Sequence, residues 1–187
     1  NLKVSNSPTN GYMLTAQSGN TGGLTWAEAS AGGASDIDGL SDALTNSSGV
    51  TIGLGTGALA ADDGSDNHNT AVGYNALNDV TSGIRNVGIG SGAGEKITSA
   101  NSNVVIGYQN LAQATTGFSN VAIGPSFIAY NLTTARDNIA IGTSAGKTVT
   151  TGNDNIFIGK NAGGNSGALT GAGNVGIGTS ALYYTRS

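Results

Sequence analysis

The sequence predicts an all-β fold, a parallel β-solenoid of about eight coils of about 17 residues each. Three observations carry that expectation. Glycine fills 32 of 187 positions without a Gly-X-Y period, the larger aliphatic residues are mostly β-branched Val and Ile, and one nine-residue phrase returns again and again from Thr51 onward. Glycine at this level otherwise marks collagen or a disordered linker, but there are only 2 prolines and the apolar residues fall at fixed places.

The phrase is clearest as Asn86-Val87-Gly88-Ile89-Gly90-Ser91-Gly92-Ala93-Gly94, Asn138-Ile139-Ala140-Ile141-Gly142-Thr143-Ser144-Ala145-Gly146 and Asn155-Ile156-Phe157-Ile158-Gly159-Lys160-Asn161-Ala162-Gly163. Copies begin at Thr51, Asn69, Asn86, Asn103, Asn120, Asn138, Asn155 and Asn174, with spacings of 18, 17, 17, 17, 18, 17 and 19 residues. A second segment follows each of several copies, as in Val80-Thr81-Ser82-Gly83, Ile97-Thr98-Ser99-Ala100 and Val149-Thr150-Thr151-Gly152. Seventeen residues are too few for a strand–helix–strand crossover but enough for two short strands and their turns. Stacked coils would rise by about 4.8 Å each, giving an array about 40 Å tall.

Each column of the stack then has an expected task. The second and fourth positions, such as Val87 and Ile89, are two apart on a strand and share a face, which we expect to line the bore. The fifth is glycine in every copy, from Gly55 to Gly178, which suits a turn with positive φ or a close backbone approach. Asn69, Asn86, Asn103, Asn120, Asn138, Asn155 and Asn174 should form an asparagine ladder, their amides bonding up and down the stack. The Val, Ile or Leu before each Thr-Ser/Thr should be the inward side chain of a second strand.

A single coil buries too little to offset the ordering of its backbone, so stability must come from its neighbours. The third position reads Gly53, Ala71, Gly88, Val105, Ala122, Ala140, Phe157, Gly176, without the Thr, Lys, Glu or Ser of a solvent-facing strand. We therefore expect this column to be covered by another copy of the chain, as an oligomer interface that Ala122→Lys or Ala140→Lys would disrupt.

Residues 1–50 lack the repeat. A small N-terminal β element over 1–30 is expected as a hairpin of Tyr12 to Ala16 and Leu24 to Glu28, with Met13 and Trp26 in a small core. Residues 31–50 read as a linker with a short helix over Asp36 to Leu44, where Ile37, Leu40 and Leu44 have helical spacing. The repeat domain occupies 51–187. The chain reaches Ser187 midway through its eighth coil, which leads us to expect further sequence beyond it.

Composition narrows the function classes. A net charge of −4 with no basic run argues against nucleic-acid binding, and no apolar stretch reaches the length of a membrane span. With 0 cysteines and 1 histidine, thiolate and Cys–His metal sites are excluded. Gly88-Ile89-Gly90-Ser91-Gly92 superficially matches a phosphate loop, but the glycines recur coil after coil and read as structural. The acidic run Asp62-Asp63-Gly64-Ser65-Asp66-Asn67-His68 lacks the spacing of known calcium loops and reads as a solvated connection. No catalytic, cofactor or metal residue is assigned. Tyr74, Tyr108 and Lys160, on the turn after the glycine, are candidate receptor contacts, and Phe118, Tyr130, Tyr183 and Tyr184 lie near in sequence.

The Asn-Val/Ile-Ala-Ile-Gly pattern at Asn120-Val121-Ala122-Ile123-Gly124 and Asn138-Ile139-Ala140-Ile141-Gly142 resembles the head repeats of trimeric autotransporter adhesins. Units such as Asn69-Thr70-Ala71-Val72-Gly73-Tyr74-Asn75-Ala76-Leu77 are more closely similar to tail fibres of tailed bacteriophages, especially those infecting marine cyanobacteria. Leu2 to Gly11 and Gly22-Gly23-Leu24-Thr25-Trp26 are also similar to phage fibre sequence. The resemblance implies left-handed coils assembled as a parallel homotrimer. It implies a structural, non-enzymatic virion protein, the shaft or receptor-binding region of a tail fibre. Its partners would be other tail fibre or baseplate proteins and a host surface glycan or protein. The alternative is the head of an adhesin on a bacterial outer surface. A polysaccharide-degrading tailspike would need two carboxylates about 5–10 Å apart, whereas Asp62, Asp63, Asp66, Asp79, Asp137 and Asp154 fall in different loops.

Overall fold

The computed structural model describes residues 12–16, 24–28, 43–45, 51–164 and 170–183. The chain divides into two units, Asn1–Ser41 and Asp42–Ser187. In the first, β1 (Tyr12–Ala16) and β2 (Leu24–Glu28) pair antiparallel, with Tyr12 opposite Glu28 and Ala16 opposite Leu24. These are the two segments read as a hairpin from their β-rich composition and the Gly/Asn/Ser-rich stretch between them. The packing expected of Met13 and Trp26 lies outside the described residues.

The second unit is one nine-stranded sheet. It begins with β3 (Ala43–Thr45) and continues with β4 (Ile52–Leu54), β5 (Thr70–Val72), β6 (Val87–Ile89) and β7 (Val104–Tyr108). The last four strands are β8 (Val121–Ser126), β9 (Ile139–Ile141), β10 (Ile156–Ile158) and β11 (Val175–Ile177). Spatial order follows chain order, and β4 to β11 are all parallel. Registration is like upon like: Ile89 lies opposite Ile106, and Ile106 opposite Ile123. The chain is therefore a β-solenoid, one coil per repeat. The helix expected over Asp36–Leu44 is corrected at its end: Ala43 and Leu44 belong to β3, antiparallel to β4, and residues 36–42 lie outside the described residues. A two-turn helix is marginal by itself, whereas a strand here gives the first coil's edge a backbone partner.

Each coil contributes one strand, not two. The Val-Thr-Ser segments are turns, although their backbones still form a ladder: Thr81 N–H donates to Thr98, Thr98 to Thr115 and Thr133 to Thr150, each at 3.0–3.1 Å. The aliphatic residue before the threonine does point inward, with Val80, Ile97, Leu132 and Val149 buried. A third ladder runs along the turn after the glycine, where Leu77 N–H donates to Ala93 and Leu111 N–H to Ile128. Coils are thus hydrogen-bonded to their neighbours on three sides.

The asparagines do two jobs at once. In each link from Asn69 to Asn174, the side-chain oxygen accepts the backbone N–H of the next asparagine at 2.9–3.1 Å and its Nδ2 at 2.9–3.2 Å. The second Nδ2 hydrogen closes the asparagine's own coil, as when Asn69 donates to the Gly83 carbonyl at 2.7 Å and Asn103 to that of Gly117 at 2.9 Å. Both donors and both acceptor sites of a buried amide are satisfied, which is what its burial requires.

The inside and outside of the strand are opposite to the sequence expectation. The third-position column is the inward one: Ala71, Val105, Ala122, Ala140 and Phe157 are buried within the single chain, and Gly53, Gly88 and Gly176 are buried with them. These eight residues are accordingly not a surface on which another copy could sit. The second and fourth columns point outward and are half-buried to exposed, Ile89 at 39% and Ile177 at 68%. The reason is crowding. In the second to sixth layers, each of about 4.8 Å, the asparagine and the third, eighth, ninth, twelfth and fifteenth positions, counted without the inserted Pro125, all turn into one narrow bore. Large residues must then be rationed. A Cβ on Gly88 would stand 2.7 Å from Leu77 Cγ, and one on Gly94 2.8 Å from Leu77 Cδ2, so Leu77 fills the space of two glycines in the next coil. Phe157 fits because Gly163 in its own coil and Gly146 in the preceding one leave room for its ring.

Candidate functional site: an aliphatic face and an aromatic corner

Two outward features depart from what a solvated rod requires. The first is the strand face formed by the second and fourth columns. Of its sixteen side chains, fifteen are Val, Ile or Leu, Thr70 being the exception. Stacking covers each in part against its copies above and below, yet the face carries no charge along its length. With columns about 7 Å apart and eight layers of about 4.8 Å, the stripe covers a few hundred Å². That is the scale at which a continuous apolar patch marks a contact surface.

The second feature is the corner after the glycine in the fourth to sixth coils. Each coil has a glycine there with φ between +114° and +144°, and the next coil's backbone crosses so close that no Cβ fits at Gly73 or Gly90. In the fifth coil, Pro125 is an additional residue: the register slips between Ile106 and Tyr108, so that Tyr108 faces Ser126. Asn110 braces this bulge. Its Nδ2 donates to the carbonyls of Ile106 at 2.7 Å and Gly124 at 2.9 Å, and its Oδ1 accepts the Ile128 N–H at 3.0 Å.

Rings gather on the bulge. Phe127 meets Tyr108 edge to face at 6.0 Å between centroids and Tyr130 at 5.5 Å. The Lys147 ammonium lies 5.7 Å from the Phe127 centroid, a cation–π distance. Among the described residues the ion pairs are made by Lys96 and Arg136, and no carboxylate pairs with Lys147. Phe127 sits at φ +52°, a left-handed conformation that costs an ordinary L-residue roughly 1–2 kcal/mol. In the other coils this position holds Gly57, Asn75, Gly92, Gln109, Ser144, Asn161 and Ser180, small or polar residues suited to a turn on the surface.

Of the candidate contacts read from sequence, Tyr108 belongs to this cluster and is 49% exposed. Tyr74 and Lys160 are exposed at the same corner in the second and seventh coils and are not gathered with it. Tyr130 joins the cluster, while Phe118 lies elsewhere beneath Arg136, whose guanidinium is 5.5 Å from its centroid. Tyr184 lies outside the described residues. Phe127 and Lys147 were missed; the available signal was a lone aromatic in a column of turn residues, one position beyond an inserted residue.

The acidic loop organises itself. The carboxylates of Asp62 and Asp63 accept the N–H groups of Gly64 and Ser65, and Asn67 Nδ2 bridges both carboxylates at 3.1 and 3.0 Å. The Ser65 backbone hydrogen bond is the main cause holding the Asp63 carboxyl below the usual carboxylate range. Among the described residues no cluster of three or more His, Cys, Asp and Glu side chains is placed to hold a metal ion, and no helix is long and apolar enough to cross a membrane. No protein-family model, curated protein or solved structure matches the chain.

Proposed function

We propose that this chain is a structural rod, a segment of a tail fibre shaft and receptor-binding region in a bacteriophage virion, which associates with copies of itself through its aliphatic strand face. The observation that carries the reading is that face: a ladder of Val and Ile repeated over eight coils, where a rod working alone in water would be selected for Thr, Lys and Glu. Identical coils give a partner an identical stripe to match, so a second and third copy laid parallel would bury it along its whole length. The resemblance of the Asn-x-Ala-Ile-Gly units to phage fibres and adhesin heads supports a parallel homotrimer. The task is mechanical: a stiff spacer that joins other fibre or baseplate proteins at one end and presents contact residues to a host surface glycan or protein. The same physics serves an adhesin head on a bacterial outer surface, which is the second reading. Neither reading assigns the chain a reaction.

Sedimentation of the purified chain tests this. The parent protein should sediment at three times the chain mass. Ile106→Lys with Ile123→Lys should reduce it to one, while Thr116→Lys, on an exposed turn away from the strand, should leave it unchanged. A parent protein that sediments as a monomer would end the reading, and depolymerisation of host polysaccharide would replace it with a tailspike.

A further inference from the structure

We infer that the aromatic corner of the fourth to sixth coils is a saccharide-contact site, with Phe127, Tyr108 and Tyr130 as the stacking surface and Lys147 as the partner of an acidic group on the sugar. The inference deepens the attachment role proposed above and rests on it.

The first support is the conformation of Phe127. A bulky aromatic occupies a left-handed turn position at which the other coils use glycine or a polar side chain. Leu59, Leu77 and Leu111 also hold left-handed positions, two residues further along the same turn, but they are buried in the bore, whereas the Phe127 ring stays part-exposed. The departures are concentrated in one coil. Pro125 is inserted there, and Tyr130 stands where the second, third and sixth coils have Asn78, Glu95 and Lys147, the eighth coil alone having another aromatic, Tyr183. Asn110 is spent on bracing the bulge that displays the rings.

Size and chemistry select the occupant. The cluster spans three coils, about 10–15 Å along the stack, the reach of one or two sugar rings. A second copy of this rod would instead engage all the coils, whereas the column holding Phe127 has only glycine or polar residues in the other coils. A peptide strand would need a free backbone edge. Here the backbone is already used: Phe127 N–H donates to Tyr108, Leu111 N–H to Ile128 and Ala129 N–H to Ala145. Half-exposed rings offer their faces to the C–H side of a pyranose while their edges and hydroxyls meet its polar rim. Lys147, which has no carboxylate partner among the described residues, adds preference for a uronic or sialic acid.

The test uses the whole chain in its native assembly against immobilised polygalacturonate, alginate and polysialic acid, with dextran as the neutral control. The parent protein should bind at least one acidic polymer at least tenfold more tightly than dextran. Phe127→Asn should weaken that binding at least tenfold while melting at the same temperature or higher, because asparagine suits the turn better. Lys147→Gln should reduce the preference over dextran. The inference is overturned if the parent protein binds none of the three, or binds dextran equally well, or if Phe127→Asn binds unimpaired. It is also overturned if Phe127→Asn changes the sedimenting mass, since the ring would then be a contact between copies. Failure here leaves the rod reading standing, because that reading is tested separately by the lysines at Ile106 and Ile123.

Discussion

The Oδ1 atom of Asn103 accepts two hydrogen bonds from Asn120 one coil later, the backbone N–H at 3.0 Å and Nδ2 at 3.1 Å. This pairing repeats along the stack, so each coil from Asn69 to Asn155 is closed and joined to the next by one buried amide. Asn103→Ala would strand the Asn120 donors and the Gly117 carbonyl together. A buried unsatisfied group costs about 1–3 kcal/mol, and the expected loss is about 2–4 kcal/mol in urea denaturation.

Asn103→Asp keeps the shape and replaces a donor by an acceptor facing the Gly117 carbonyl. Burial and that carbonyl disfavour its charged form, so the folded-state pKa of the new carboxyl rises above its unfolded value. The folded state then binds more protons than the unfolded one, and the variant gains stability as pH falls through the raised value. Melting temperatures of the variant and parent should converge toward acid pH; a gap that widened there would contradict the burial of the ladder.

Gly90 and Gly64 both have positive φ, +126° and +77°, but they do not share an environment. A Cβ on Gly90 would stand 2.8 Å from the Gly107 carbonyl carbon, whereas nothing lies within 4 Å of one on Gly64, in the loop between the first two coils. Gly64→Ala should show backbone strain alone, about 1–3 kcal/mol. Gly90→Ala must also push the adjacent coil aside and should cost more, about 3 kcal/mol or above. Equal losses in thermal unfolding would mean that the close crossing of coils is not what selects glycine.

Phe157 and Gly163 test the rationing of the bore. Phe157→Ala empties a fully buried site and should cost about 3–5 kcal/mol. Gly163→Leu alone should be worse tolerated, since its Cβ already meets the Phe157 ring. The double variant should recover about 1–2 kcal/mol relative to the sum of the singles. It recreates the Ala71–Leu77 arrangement of the second coil, where leucine holds this position at φ +48°. Additive losses in a double-mutant cycle would show the two sites to be independent.

Asp63 reports on its loop. Its carboxyl is held below the usual carboxylate range, chiefly by the Ser65 backbone hydrogen bond. A depressed value means that the loop's contribution is present above the ordinary carboxylate range and is lost as pH falls through the Asp63 value. In a carboxylate titration followed by NMR, Asp63 should protonate below the usual carboxylate range, and the Ser65 amide should shift with it.

The coil length, the parallel stacking and the registration of like residues were legible because each is a consequence of repetition. If Ile89, Ile106 and Ile123 recur at one phase of a 17-residue unit, the chain has one way to place them that satisfies every strand at once. The asparagine ladder was legible for the same reason. The direction of the strand faces was not. Alternation separates Gly88 and Ala122 from their aliphatic neighbours, but it does not say which set faces inward, and hydrophobicity favoured the wrong one.

The amino-acid sequence alone therefore determined the periodic part of this protein: a solenoid whose coils repeat, turn at glycine and stack on asparagine. Only the tertiary structure decided which columns fill the bore, because that depends on how many side chains converge in one thin layer, a quantity summed over residues far apart in the chain. It also decided that Tyr108, Phe127, Tyr130 and Lys147 meet at one corner. They belong to three successive coils, and it is the winding of the chain, together with one inserted proline, that brings them side by side.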